Sequence, residues 1–420
     1  MRSRGRRGLA AALLGVVAAC SAPWEDASPP RGRAGDAGGQ PQAVTGGTAS
    51  PAPPGASPGG APASSSPRTF TLVAAGDVLI HPPVTAQAHR DGHRRGYDFR
   101  RILAGVKPVV AGADLAICHL ETPLAPSGGP FEGYPTFDAP PQVAEGLAAT
   151  GYDTCSTASN HTLDQGASGV ARTLDALDDS GIRHAGSARS HAEAHQPTII
   201  DVEGALVAHL SYTFSFNGIS PSASWIANPI DREAILRDAR KVRQAGAQVV
   251  VVSLHWGSEY WHEPTPEQRD LAEALLSSSA VDLIVGHHAH VVQPFERVDG
   301  SWVAYGLGNH LAHHAEPVGE SEEGVIARFT FGETRDGRWK VTKAEAIPTL
   351  IDLGPPLRVV ALPAALSATR TPLPERQRVR YGQGYQRTRN VLTGLGADDA
   401  GLVVPRPATQ DGHERSQAPG

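Results

Sequence analysis

The chain has 420 residues, 40% hydrophobic and 19% charged, enough apolar material for a large folded body. Its formal net charge is −6, and residues 1–19 hold four arginines and no acid, so the rest is more acidic still. That balance gives no basic footprint for nucleic acid, and it disfavours tight docking of a large polyanion except where metal ions invert the local field.

Arg2, Arg4, Arg6 and Arg7 form a positive stretch, Leu9 to Ala19 an apolar one, and Val17-Ala18-Ala19-Cys20 closes it. This is an export signal, too short for a permanent span. The small residues before Cys20 resemble a bacterial lipobox, so Cys20 is expected to be lipidated and to tether the chain to the outer face of the membrane. The Arg6-Arg7 pair leaves the export route open. Residues 21–68 are dominated by Pro, Gly, Ala and Ser and read as a flexible tether.

The folded body is expected over residues 69–354, with residues 355–420 as a partly disordered extension. Phe70 to Ala75 reads as a strand broken by Gly76-Asp77. Asp114 to Leu120 is a second strand with Glu121 at its end, and Tyr152 to Ala158 a third with Asn160-His161 at its end. Short helices are expected at Arg101–Val110, interrupted near Pro108, and at Pro141–Thr150 and Val170–Ser180. Thr198 to Phe214 reads as a strand pair turning at Glu203-Gly204. An amphipathic helix follows from Asp231 to Ala245. Val249 to Leu254 is a buried strand ending at His255, and Pro266 to Ser278 is helical. The β-branched run Val281 to Val285 then delivers His287, His288 and His290 beyond Gly286. Trp302–Leu307, Val325–Phe331 and Trp339–Ala344 suggest a second, more antiparallel sheet.

Strands alternating with helices predict an α/β body, in which ligands gather beyond the carboxyl ends of the strands. Asp77, Glu121, Asn160, His161, His255, His288 and His290 all fall there. A polar turn, a helix cap or a packed histidine explains each residue singly. Together they form the donor set of a two-metal hydrolase: oxygen and nitrogen ligands, a bridging carboxylate and no thiolate. Mixed Asp, Glu, Asn and His ligation suits two divalent ions of Mn, Fe or Zn, and water acidified by them would be the nucleophile. His161 is placed to protonate a leaving group, with Asp164 to orient it.

Gly76-Asp77-Val78, Leu120-Glu121-Thr122, Asn160-His161 with Leu163-Asp164-Gln165-Gly166, His255-Trp256-Gly257-Ser258-Glu259-Tyr260, Gly286-His287-His288-Ala289-His290-Val291 with Gln293, and Tyr305-Gly306-Leu307-Gly308-Asn309 occur in one order. In that order they resemble the CapA family of poly-γ-glutamate capsule biosynthesis, a branch of the calcineurin-like metallophosphoesterases, over about Phe70 to Ile351. The resemblance implies a four-layer α/β/β/α sandwich. It implies one metal on Asp77, Glu121 and His290, and a second on Glu121, Asn160, His255 and His288. Leu79 stands where the wider superfamily has a histidine ligand, so His81 is a further candidate, as is His287 beside the ligands. His119, Ser159 and His310 depart from the family pattern.

Cys118 and Cys155 lie inside consecutive strands. Buried free thiols are the expectation, although a disulfide is allowed outside the cytoplasm. The first functional expectation is a membrane-tethered hydrolase acting on an anionic cell-envelope polymer or a phosphoester, with polymer synthase subunits as partners. The alternatives are a non-catalytic envelope lipoprotein with a structural or vestigial metal, and a solute-binding lipoprotein.

Overall fold

The computed structural model describes residues 68–314, 319–369 and 372–408; Cys20 and most of the tether tract lie outside them. The first strand, β1 (Thr69–Val78), does not break at Gly76-Asp77 but runs through it. A Cβ on Gly76 would lie 1.9 Å from the Gly308 carbonyl oxygen, so glycine is there to admit a neighbouring backbone, not to turn the chain. Helix α1 (Pro82–Asp91) was not expected from the sequence; its two leading prolines pre-set the helical φ where no N–H is needed. The interrupted helix resolves into α2 (Arg100–Leu103) and α3 (Lys107–Val110), with Pro108 in the first turn of the latter.

The alternation then proceeds as read. It comprises β2 (Leu115–Leu120), α4 (Gln142–Thr150), β3 (Thr154–Ser156), α5 (Gly166–Asp179) and β4 (Arg183–Ala185). After the single turn α6 (His191–Ala194), β5 (Thr198–Val202) and β6 (Ala205–Thr213) form the hairpin. Helix α7 (Arg232–Gln244) is capped by the Asp231 carboxylate, which accepts the Ala234 N–H. Then come β7 (Val249–His255), α8 (Pro266–Leu276), β8 (Leu283–His287), β9 (Phe295–Val298), β10 (Ser301–Ala304) and β11 (Asn309–Leu311). The chain closes with β12 (Glu323–Glu333), β13 (Trp339–Asp352), β14 (Arg358–Ala361), α9 (Leu362–Ser367), α10 (Glu375–Leu392) and β15 (Leu402–Val403).

These strands form two sheets. One has the order β14-β13-β12-β1-β2-β3-β4, with β11 beside the end of β1 and β15 on β13; the other has the order β5-β6-β7-β8-β10-β9. The late segments therefore do not build a sheet of their own. β10 pairs parallel with β8, while β12 pairs antiparallel with β1 and β13 antiparallel with β12, extending the first sheet.

Continuous apolar strands are explained by burial on both faces. In β1, Phe70, Leu72 and Ala74 face the second sheet, while Val73 and Ala75 face the helices. In β7, Val249 and Val251 face the first sheet, while Val250, Val252 and Leu254 face α7 and α8. Three apolar layers separate four structural ones, which is the expected α/β/β/α sandwich. His209 of β6 reaches across between the sheets, contacting Thr154 Oγ1 of β3 at 3.1 Å and Ser253 Oγ of its own sheet's β7 at 3.0 Å.

Two expectations change. Cys118 and Cys155 are register partners across β2 and β3, with Cα atoms 4.4 Å apart, and they form a disulfide instead of two free thiols. Parallel register, invisible in the sequence, puts the two side chains opposite each other. The chain also stays within the fold past Gly354. β14 pairs with β13, and the basic stretch folds as α10, whose Tyr381 and Tyr385 pack on Leu350 and Leu362. Arg380 of α10 pairs with Glu322 and Asp352, and Arg387 with Glu323, so its charge faces acids at the ends of β12 and β13.

Peptide mapping without reduction is expected to recover Cys118 and Cys155 in one cross-linked species. Replacing both with serine is expected to cost ~2–4 kcal/mol in denaturant unfolding, given their sequence separation of 37. A stop codon after Gly354 is expected to give insoluble or unfolded protein, because it removes two strands and the helix that covers the sheet; a soluble, cooperatively unfolding truncation would contradict this.

Candidate metal centre

The carboxyl ends of β1, β2, β7 and β8 meet at one edge of the sandwich. They bring Asp77, Glu121, His255 and the histidine turn together, and the loop after β3 adds Asn160 and His161. All of these side chains are buried, none more than 6% exposed. Gly286 is part of β8, not its stop: a Cβ there would meet the Tyr305 carbonyl oxygen at 1.9 Å. Beyond it His288 and His290 both adopt left-handed backbone, with φ of 89° and 54°. Such conformations cost ~1–3 kcal/mol each in a non-glycine residue. The turn is held by Asp77 Oδ2, which accepts the His288 N–H at 3.2 Å, and by the Tyr260 N–H, which donates to the Ala289 carbonyl at 2.7 Å.

Asp77, Glu121 and His290 place ligand atoms within 4.8 Å of one another. His290 Nδ1 faces Asp77 Oδ2 at 3.1 Å and Asn309 Oδ1 at 3.0 Å, which turns Nε2 toward Glu121 Oε1, 3.6 Å away. Asn309 fixes the turn further by donating to the His290 carbonyl at 3.1 Å. On the other side of Glu121, His255 Nε2 lies 3.9 Å from Oε1 and 2.9 Å from Asn160 Oδ1, with the His288 ring 4.7 Å from the His255 ring. Of the two residue sets expected from the sequence, Asp77, Glu121 and His290 form a ligand-atom cluster, while His255, Asn160 and His288 lie near Glu121 without forming one with it among the described residues.

The electrostatics explain why this arrangement is incomplete as a set of protein groups. Burial pushes Glu121 well above the usual carboxylate range, with only His290 opposing. Neither Glu121 oxygen has a hydrogen-bond partner, nor do Asp77 Oδ1 and His288 Nδ1. A buried carboxylate without a donor is costly. Burial disfavours charge on Asp77 too, but the nearby ring nitrogens of His287 and His290, 3.3 and 3.1 Å from its oxygens, outweigh it and hold the group well below its ordinary value. His290 is lifted to about 9: burial opposes the imidazolium, and the Glu121 and Asp77 carboxylates overcome it. A divalent cation beside Glu121 would satisfy these orphaned oxygens, so the residues present fit metal ions.

His161 donates Nδ1–H to Asp164 Oδ2 at 2.7 Å, and Asp164 also accepts the Phe137 N–H at 2.8 Å, so the expected orienting pair is present. His287 stands behind Asp77, Nδ1 3.3 Å from Oδ1, with its ring stacked on His119. His81 belongs to none of the acid–histidine clusters among the described residues; its Nδ1 is engaged by the backbone of Leu79 and His313. The sequence reading missed Glu259, which shares a cluster with His288 and His290, and His314, whose ring lies 4.5 Å from that of His290. Glu259 sits within a motif already quoted, but nothing local distinguishes it from a surface acid. The mouth is aromatic: Phe214 packs 4.6 Å from His288, Tyr260 6.2 Å from His290, and Trp261 beside them is 66% exposed. A separate cleft of about 320 Å³ lies between β4 and β6, where Arg189 is already paired with Asp175, Asp178 and Glu193.

The described residues define a two-sheet α/β sandwich with carboxylates and histidines at its strand ends. Among solved structures, the chain is similar to the calcineurin-like phosphoesterase YfkN from Bacillus subtilis at 14% identity, with a TM-score of 0.39 over 77% of this chain and 98% of that one. Residues 71–314 match the family described as bacterial capsule synthesis protein PGA_cap, and the chain belongs to that family. Relatives include the capsule biosynthesis protein CapA of Bacillus anthracis, 27% identical over 58% of this chain and 59% of that protein. The PGA biosynthesis protein CapA of Bacillus subtilis (strain 168) is 29% identical over 44% of this chain and 49% of that protein. The matches thus span about half to three-fifths of the relatives' length.

Burial pushes His209 down to about 3 and His310 down to about 4. Their folded values lie below the ordinary 6.5, so between those limits the unfolded chain takes up protons that the folded chain refuses. Stability is expected to fall as pH falls from 6.5, by about 1.4 kcal/mol per pH unit for each such histidine, the loss being complete below the folded values. Urea midpoints measured from pH 7 to pH 5 check this; a flat series would contradict it.

Proposed function

We propose that this protein is a membrane-tethered, extracytoplasmic hydrolase with a two-metal centre, acting in the synthesis, export or processing of poly-γ-glutamate or a related anionic envelope polymer. The observation that carries the reading is Glu121: a fully buried carboxylate, both oxygens without hydrogen-bond partners, facing His290 on one side and His255 on the other. Asp77, Glu121 and His290 would hold one ion, and Glu121, Asn160, His255 and His288 the other. When bound, the pair supplies Lewis acidity toward a scissile carbonyl or phosphoryl oxygen and lowers the pKa of water at the centre.

The chain's own residues supply the rest. Three protein ligands on the first set, with the buried Leu79 adding none, leave open positions, as a catalytic site requires and a structural one does not. His161, held by Asp164 through Nδ1, keeps Nε2 at the far end of its ring to give a proton to a leaving amine or alcohol. Phe214 beside His288 and Tyr260 beside His290 would line the approach of a substrate to the centre. Tethering through Cys20 would keep the site at the membrane face, where an exported polymer emerges; the capsule and PGA biosynthesis relatives support this setting.

Activity toward a chromogenic phosphodiester and toward poly-γ-glutamate, measured with added Mn²⁺, tests the reading. Glu121→Gln is expected to reduce turnover to background with folding intact. His161→Asn is expected to lower kcat by about 10²–10⁴-fold while metal content stays unchanged. Full activity in His255→Ala would contradict the proposal, as would a parent protein inert toward both substrates.

A further inference from the structure

Behind the centre, the imidazole of His255 is held by a second imidazole. His119, near the end of β2, places Nε2 3.0 Å from His255 Nδ1 and its own Nδ1 2.7 Å from Ser156 Oγ. Ser156 Oγ in turn lies 3.3 Å from the Cys118 carbonyl oxygen. At the far end of His255, Nε2 is 2.9 Å from Asn160 Oδ1 and 3.9 Å from Glu121 Oε1. His119, Ser156 and His255 are completely buried, and the His287 ring, stacked at 4.0 Å and 15°, fixes the plane of His119.

Where two ring nitrogens face each other, one donates and the other accepts. The row therefore has two complete arrangements. In one, Ser156 donates to His119 Nδ1, His119 Nε2–H to His255 Nδ1, and His255 Nε2–H to Asn160 Oδ1. Every atom is paired, and Nε2 has no lone pair to offer. In the other, His255 Nδ1–H donates to His119 Nε2, His119 Nδ1–H to Ser156 Oγ, and Ser156 Oγ–H to the Cys118 carbonyl. Both arrangements hold the same number of protons, because each imidazole stays neutral and only exchanges one N–H position for the other, while Ser156 keeps its hydroxyl hydrogen and turns it from His119 to the Cys118 carbonyl. Only the second leaves a lone pair on Nε2, directed at the space shared by Asn160 and Glu121. Both nitrogens of His119 are occupied in either arrangement, so His119 is not itself a ligand, although it clusters with Asp77 and His287.

We propose that His119, backed by Ser156, is a positioning residue that sets the Nδ1–H tautomer of His255 and so prepares Nε2 for a divalent cation. The inference rests on the metal-centre reading above. It deepens that reading by assigning a task to a side chain that touches neither substrate nor metal. Groups behind a metal-bound histidine fix its tautomer and orientation, and their loss weakens metal binding by about 10–100-fold.

Mn²⁺ titration of the full chain, freed of metal by chelator and followed by calorimetry, tests the assignment. His119→Leu is expected to weaken one of two Mn²⁺ sites by about 10–100-fold and to leave the other unchanged. His119→Gln keeps an amide oxygen able to accept from His255 Nδ1, and is expected to restore most of the affinity. Ser156→Ala removes a single oxygen; it is expected to weaken the same site and carries the test if His119→Leu does not fold. Parent-like binding by His119→Leu, or by Ser156→Ala in its place, overturns the proposal, and so does a glutamine variant as weak as the leucine one. A parent chain that binds no Mn²⁺ overturns the metal-centre reading along with it, which separates the two failures.

Discussion

The arrangement depends on one buried carboxylate. Glu121 sits at the end of β2, where the two sheets converge; its Oε1 lies 3.6 Å from His290 Nε2 and 3.9 Å from His255 Nε2, and neither of its oxygens has a hydrogen-bond partner. A charge in that position is tolerated only if something supplies compensating positive charge at close range. The surrounding strand ends converge on it: Asp77 from β1, His255 from β7, and His288 and His290 from the turn after β8. The strained backbone of that turn, the Asn309 clamp and the glycines that let strands pass close to Gly308 and Tyr305 all serve to bring those ends together.

The scaffold is built to keep that edge rigid. Strands apolar on both faces lock the two sheets to each other and to their helices. The Cys118–Cys155 bridge ties β2 to β3 at the residue before His119 and the residue before Ser156, the two side chains that stand behind His255. α10, through Arg380 and Arg387, is anchored to acids at the start of β12 and the end of β13, level with the carboxyl end of β1 in the same sheet. Among the described residues, buried polar atoms without partners gather at this edge, including both Glu121 oxygens, Asp77 Oδ1 and the ring nitrogens of His287, a departure from ordinary packing of the kind that marks functional sites.

Much of this was legible in the sequence. β-branched runs ending in Asp, Glu, Asn or His located the strands and the candidate ligands together, because a buried parallel strand has one composition and its carboxyl end another. Elements defined by partners rather than by local pattern were not legible. α10 is too polar to show a helical face, and its charges make sense only against Glu322, Glu323 and Asp352. The disulfide depends on register between β2 and β3, and β12 and β13 were misassigned to a separate sheet because alternation shows a strand but not its neighbour. Glu259, His314 and the role of His119 are products of three-dimensional proximity: 136 residues separate His119 from His255.

Metal content of the full-length chain, determined by plasma mass spectrometry beside His290→Ala, tests the central claim most directly. Close to two divalent transition-metal ions per chain, falling in the variant, is the result predicted by a carboxylate bridging two ligand sets. An absence of metal, or equal content in the two proteins, would contradict it and leave the strand-end constellation as scaffold.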